Sequence, residues 1–295
     1  MPLHRGGRST NPRCPMPDAV PPRDISMLRI ASLQPSITLT LQRLGKLDTL
    51  VACTRYCLEA LPDLRARNLA IVADSWSTTM EELLAVRPNL VIASVPYRME
   101  SLAAILRAGC PVLTLAPHCL ADIYADIRLL ASIVNASQAG EMLIDEMTAA
   151  IDAVRATAAT APSHPRVYCE EWGKPLIHSQ PWVQELVEAA GGIFLGAAGK
   201  TTTAEDVLAS DPDILLFAWC GAGDRVPLAR VVEKRGWQNM RAAAQGRVHC
   251  IPDEFLNTPA HTLLNGLACI ASVVHPNIFD LHPQVISLPG SRKAQ

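Results

Sequence analysis

Charge of one sign is what this sequence most clearly lacks. Lys and Arg number 26 against 28 Asp and Glu, and charged residues make up only 18% of the chain. That near balance excludes a general electrostatic attraction to nucleic acid or to an anionic membrane. No apolar run reaches the ~18 residues that a membrane span needs. The first 27 residues carry Arg5, Arg8 and Arg13 among prolines but no apolar signal core. They read as a flexible leader. The chain as written is therefore expected in the cytoplasm, and in the periplasm if the true start lies upstream. The nine cysteines are odd in number and contain no Cys-x-x-Cys pair, so neither a disulfide framework nor a zinc site is expected. Cys53 and Cys57 have the spacing of a soft-metal pair only on a helix, and Cys53 ends a strand-like run.

Catalytic signatures are missing as well. There is no Walker loop, no Gly-x-Ser-x-Gly elbow and no His-Glu-x-x-His. Glu170 and Glu171 are adjacent, so in a strand they point to opposite faces, the wrong arrangement for a carboxylate dyad. The chain is expected to be a non-enzyme without cofactor or metal centre.

What is present is core. Hydrophobic residues make up 49% of 295 residues, enough for roughly two globular units of about 150 residues. Short apolar runs alternate with helix-like stretches in two blocks. The first block has runs at 28–33, 49–54, 69–72, 90–94 and 111–116; the second has them at 166–169, 213–219 and 248–251. Such alternation predicts parallel sheets covered by helices. Between the blocks, 120–134 and 137–160 carry helical spacing without a strand signal. The expected organisation is a leader (1–27), an N-terminal lobe (28–118), connecting helices (119–160), a C-terminal lobe (161–280) and a loose tail (281–295).

An internal repeat ties the lobes together. Shifting the chain by 124 positions pairs Thr78 with Thr202, Thr79 with Thr203, Glu81 with Glu205, Leu84 with Leu208 and Pro88 with Pro212. Each copy reads as loop, short helix, Pro turn and strand. Thr78-x-x-Glu81 and Thr202-x-x-Glu205 have the spacing of capping boxes.

Aromatic residues are scarce at 4%, yet five of them are Trp. Trp76, Trp172, Trp182 and Trp219 fall in loop-like positions, near Tyr56 and Tyr97 in the same pattern. In open α/β sheets ligands bind beyond the carboxyl ends of the strands. Flat indole faces there suit a large planar ligand, and they equally suit plugs between lobe and linker. His178 lies in one of these loops as a candidate metal contact, or as a hydrogen-bonded loop histidine. Trp237 reads as a structural residue at a helix start.

These residues carry a resemblance. Arg29 to Ser36 followed by Leu44-Gly45, the Glu-x-x-x-Ala-x-x-Pro-Asn/Asp repeats at 81–89 and 205–213, Gly191-Gly192, Gly236-Trp237 and Gly246-Arg247-Val248 resemble the cluster-type substrate-binding proteins for cobalamin, haem and ferric siderophores. Tyr56-Cys57 and Glu170 to Pro175 look most like the cobalamin-binding branch. The resemblance implies two Rossmann-like lobes with parallel sheets joined by a single long connecting helix. It implies a monomer that binds a corrinoid, or another metal chelate, in the inter-lobe cleft and delivers it to an ABC permease. Tyr56, Trp76, Tyr97, Trp172, His178, Trp182 and Trp219 are the expected ligand contacts, and Glu81 and Glu205 the expected permease contacts. Three departures matter, the missing export signal most of all. Thr38-Leu39 stands where the family often has Thr-Glu, and Thr258 to Thr262 replaces an arginine-bearing stretch. Without those arginines, bidentate capture of an anionic ligand is disfavoured and stacking with neutral polar contacts is favoured. A cytoplasmic corrinoid carrier or sensor without a permease is the competing expectation.

Overall fold

Short apolar strands punctuated by Pro and Gly build two sheets, and helices cover the faces that would otherwise meet water. The computed structural model describes residues 28–95, 98–107 and 109–289. The expected leader, Tyr97 and residues 290–295 lie outside the described residues.

In the N-terminal lobe β1 (Ile30–Ser32), α1 (Pro35–Arg43), β2 (Leu50–Thr54), α2 (Arg55–Ala60), β3 (Ala70–Val72), α3 (Met80–Val86), β4 (Leu90–Ser94), α4 (Met99–Arg107) and β5 (Val112–Leu115) follow one another. The sheet is parallel throughout, in the order β3-β2-β1-β4-β5. A parallel sheet must be covered on both faces. Here one face packs Ile30, Ile37, Leu41 and Ile92 together, and the other packs Ala31, Leu33, Leu83, Val91 and Ile105. Pro35 opens α1, where its fixed φ suits a first turn and its missing N–H costs nothing.

The connection is a helical pair. α5 (Leu120–Ile133) and α6 (Ser137–Ala158) are separated by a turn through Asn135 at φ 53°. With 22 residues α6 is the long member, roughly 33 Å at 1.5 Å per residue. The helices meet so closely that a Cβ on Gly140 would lie 2.6 Å from that of Ala131. α5 gives Leu130 and Ala131, and the turn after it Val134, to the N-terminal core, while its Ile123 and Ile127 join the C-terminal one with Leu143, Met147 and Ile151 of α6. A shared apolar helix is a stiff coupling, unlike a Gly/Ser tether.

The C-terminal lobe contains β6 (Arg166–Gly173), β7 (Leu176–His178), α7 (Pro181–Ala189), β8 (Ile193–Phe194), β9 (Thr201–Thr202), α8 (Ala204–Ser210), β10 (Ile214–Phe217), α9 (Leu228–Lys234), α10 (Arg241–Ala244), β11 (Val248–Cys250), α11 (Leu263–Val274) and β12 (Ile286–Ser287). Its sheet runs β12-β11-β10-β6-β7-β9, with β8 also beside β6. β10 pairs in parallel with β6 and β11, whereas β7, β9 and β12 pair antiparallel. The purely parallel expectation thus holds at the centre and fails at the margins, where the chain doubles back after Gly173. Residues 284–289, expected as loose tail, instead contribute β12, which pairs His249 with Ser287.

The repeat is structural. α3 and α8 begin from Thr79 and Thr203, and both end on a left-handed residue, Arg87 (φ 53°) and Asp211 (φ 40°), before Pro88 and Pro212 lead into β4 and β10. The caps sit one residue later than the spacing predicted. Thr79 accepts from the Glu82 N–H and Glu82 reaches back to the Thr79 N–H, while Thr203 accepts from the Asp206 N–H. Runs of threonine offer several start points, and in both repeats the chain uses the later one, with Thr78 buried in front of the first. Glu81 and Glu205 are therefore exposed and take no part in capping.

Candidate functional site

The carboxyl ends of both sheets open on one cleft of about 740 Å³. Most wall segments follow a strand: Gln34–Ser36 after β1, Tyr56 and Glu59 on α2 after β2, Asp74–Ser77 after β3, Val95 after β4, Trp172 at the end of β6, Cys220–Arg225 after β10 and Pro252–Glu254 after β11; Asn257–Pro259 before α11 and Gln284 before β12 complete it. Strand ends stop hydrogen-bonding to neighbours there, which frees backbone and side chains for a ligand.

Local chemistry fixes the aromatic walls. The Asp74 carboxylate accepts from the backbone N–H groups of Trp76 (3.1 Å) and Ser77 (3.0 Å) and from the Ser77 hydroxyl (2.7 Å). This Asx-type turn holds Trp76 out from the lobe, half exposed, while the Ser101 hydroxyl pins its carbonyl at 2.8 Å. The Arg98 guanidinium stands 5.5 Å from the Trp76 ring centroid. Thr54 caps α2 by accepting from the Cys57 N–H, which sets Tyr56 on the first turn. Arg55 donates to the Tyr56 hydroxyl at 2.7 Å and lies 4.7 Å from its ring centroid. Trp172 is 44% exposed, its indole N–H donating to the Lys174 carbonyl.

The opposite wall is a glycine loop. Asp253 accepts the N–H groups of Gly221 (2.7 Å) and Gly223 (2.9 Å), both residues with positive φ, and so pins this loop to the segment after β11. Burial pushes the Asp253 and Glu254 carboxyls up from the usual range, Asp253 against the pull of those amides. Cys220 presents a thiol beside the Asn257 amide (Nδ2 to Sγ, 3.2 Å). Burial and then the negative field of Glu171 and Asp253 push that thiol up, so it is protonated at neutral pH.

Of the seven residues expected to contact ligand, Tyr56, Trp76 and Trp172 line the cleft. Trp182 does not: it is 3% exposed within the C-terminal core and donates to the Leu256 carbonyl. α7 begins at Pro181, so the apparent loop is a helix whose apolar face takes the indole inward. His178 closes β7 at 5% exposure, stacks edge-on to Tyr168 at 5.2 Å, and has its pKa lowered by burial. It reaches no cleft surface.

Trp219 stands behind the wall, not on it. Its indole donates to Glu170 (2.7 Å), and Gly173 admits its ring so closely that a Cβ there would lie 2.5 Å from Cζ2. Glu170 is fully buried, held by both arms of Arg235 (2.7 and 2.9 Å) and by the Tyr168 hydroxyl. Glu171 points the other way, to Gln180, as strand alternation required. Trp237 is buried and structural, donating to the Ala204 carbonyl.

Several cleft residues were not anticipated: Glu59, Asp74, Asp224, Asp253, Glu254 and Gln284. The Asp-Ser-Trp-Ser turn and the Gly-x-Gly segment at 221–223 were the available signals. Among the described residues, no group of three or more His, Cys, Asp or Glu is placed to hold a metal ion, and no helix is long and apolar enough to cross a membrane.

No curated protein matches the sequence. Solved structures do match the fold. A periplasmic heme-binding protein from Pseudomonas aeruginosa superposes with a TM-score of 0.78 at 20% identity, covering 88% of this chain and 98% of the other. RhuT, a periplasmic heme-binding protein from Roseiflexus sp. RS-1, gives 0.71 at 25% identity over 84% and 99%. BtuF of Vibrio cholerae, a periplasmic vitamin B12 binding protein, gives 0.68 at 22% identity over 84% and 96%. A family model described as periplasmic binding protein matches residues 30–255. Spanning both lobes and their linker, that match places the chain in the periplasmic binding protein family.

Proposed function

We propose that the chain binds a corrinoid between its lobes and delivers it to an ABC importer. The observation that carries this reading is a cleft of about 740 Å³ whose walls present Tyr56, Trp76 and Trp172 at the carboxyl ends of two sheets. A cleft of this volume suits a large ring, and aromatic faces bind flat chelates by stacking. Glu81 and Glu205, free of capping duty and exposed on equivalent helices, would meet cationic side chains of the permease. The binding cycle needs no catalytic residue and no cofactor.

Haem or a ferric siderophore is the second reading. It is favoured by the likeness to the heme-binding proteins of Pseudomonas aeruginosa and Roseiflexus. A carrier that works without a permease is the third, distinguished by where the native protein is found. Fractionation that puts it in the periplasm supports delivery, and a purely cytoplasmic protein supports the carrier.

Calorimetric titration with cyanocobalamin, cobinamide and hemin tests the ligand. Saturable corrinoid binding, weakened at least about tenfold in Trp76→Ala/Trp172→Ala (loss of stacking of roughly 1.4 kcal/mol or more), is expected. Hemin binding with no corrinoid heat would transfer the assignment to haem.

A further inference from the structure

We infer that the cleft selects its chelate by charge, taking one that is cationic or edged with amide donors and rejecting one edged with carboxylates. This rests on the cleft being the chelate site. Among the described residues, five carboxylates line it (Glu59, Asp74, Asp224, Asp253 and Glu254) against one cationic side chain, Arg225, and no Lys or His. Asp74 and Asp253 are occupied in holding loops. The carboxylates of Glu59, Asp224 and Glu254 accept no hydrogen bond and form no close ion pair among the described residues, Glu59 feeling only the more distant Arg55 charge, so their acceptor capacity is open to the cleft that they line.

Most of the backbone and amide donors that an anion would need are already committed. The Gly221 and Gly223 N–H groups, a ready anion cradle in such a loop, bind Asp253. The Asn257 amide donates to the Ala218 carbonyl and to Cys220, the Ser77 hydroxyl to Asp74, and the Arg225 Nε to the Ala222 carbonyl. α1 opens with Pro35 and lacks one of the N–H groups that a helix start usually offers. Arg55 and Arg98 stand against Tyr56 and Trp76 but do not line the cleft. Aromatic faces themselves favour positive charge through the ring quadrupole. Carboxylate edges and π faces therefore push in the same direction. A ligand edge of primary amides would donate to the free carboxylates, whereas an edge of propionates would meet net repulsion, with the Nη groups of Arg225 the one charged donor set against five carboxylates.

Two pairs of probes, each matched in ring and differing in charge, test the inference by fluorescence quenching of the native protein. One pair is cobinamide and the heptacarboxylate made by hydrolysing all its amides. The other is hemin dimethyl ester and hemin. The amide and ester forms should bind at least roughly tenfold tighter at low salt. The gap should narrow at about 0.5 M salt, where the Debye length falls to ~4 Å. It should also narrow in Asp224→Asn/Glu254→Gln, whose exposed side chains contribute little to folding. Equal or tighter binding of the carboxylate forms would overturn charge selection while leaving the cleft as a chelate site. Binding of none of the four would overturn that site assignment and the inference with it.

Discussion

Replacing Arg235 by Met should destabilise the C-terminal lobe more than any single change at the cleft surface. Arg235 donates both arms to Glu170, at 2.7 and 2.9 Å, with side-chain exposures of 11% and 0%. Its guanidinium is also caged by Trp237 (4.9 Å), Phe217 and Trp219 (5.9 Å each). Removing one partner of a buried pair strands the other charge and costs about 3–5 kcal/mol. Two donors to Glu170 survive, the Tyr168 hydroxyl and the Trp219 indole, so the lower end, about 3 kcal/mol, is expected. At roughly 2–4 °C per kcal/mol for a chain of this size, the melting midpoint should fall by about 6–12 °C. The double variant Glu170→Gln/Arg235→Met, which leaves no stranded charge, should recover at least half of that loss. Urea unfolding followed by tryptophan fluorescence measures both. A loss below about 1 kcal/mol in Arg235→Met would refute the reasoning, because it would mean that water reaches Glu170.

Two further perturbations discriminate roles that the spacing alone confuses. Glu81→Gln and Glu205→Gln should change stability by less than about 0.5 kcal/mol, since neither carboxylate caps a helix, yet together they should abolish ligand uptake in a transport assay. Thr79→Ala and Thr203→Ala should do the reverse, each costing about 1 kcal/mol while uptake persists. Acid should also weaken the fold. Burial, then Arg247, pushes His249 down to about 4, and burial, then Arg43, pushes His261 down to about 4. Between those values and the ~6.5 of an unfolded histidine, the unfolded chain binds more protons, so stability is present at neutral pH and lost as pH falls through this window. Asp126, pushed up to about 6 by burial, opposes the trend, since its contribution improves as pH falls from about 6 toward ~3.8. Asp253 and Glu254, raised by burial, oppose the trend too and His178, lowered by burial, adds to it, so the effect is read at His249 itself: its contribution should fall by roughly 2 kcal/mol from pH 7 to pH 5, and His249→Asn should remove that part of the acid response. An acid shift of the urea midpoint that is the same in His249→Asn as in the parent chain would contradict the burial of His249.

The two-lobed architecture was legible because it rests on long-range regularities of the chain, the alternation of apolar runs with helices and the 124-residue repeat. Those features survive small errors of placement. The site was less legible because it depends on single-residue direction. Trp172 and Trp182 both looked like loop residues, but the first sits at an exposed strand end and the second on the buried face of α7, and one helical position decides between them. The caps illustrate the same sensitivity. A shift of one residue, from Thr78 to Thr79, turns Glu81 from a capping group into a free surface carboxylate. Trp219 could not be placed without knowing that Glu170 is buried. A buried carboxylate needs donors, and the indole, Tyr168 and Arg235 are drawn to it from elements far apart in sequence. The aromatic wall is thus built in two layers. Trp172 lines the cleft, and behind it Trp219 is held by an ion pair, with Gly173 leaving the space that the indole fills. Any larger residue at 173 would move Trp219 first and the cleft wall with it. The glycine in Glu170 to Pro175 is therefore a requirement of packing, whatever the ligand proves to be.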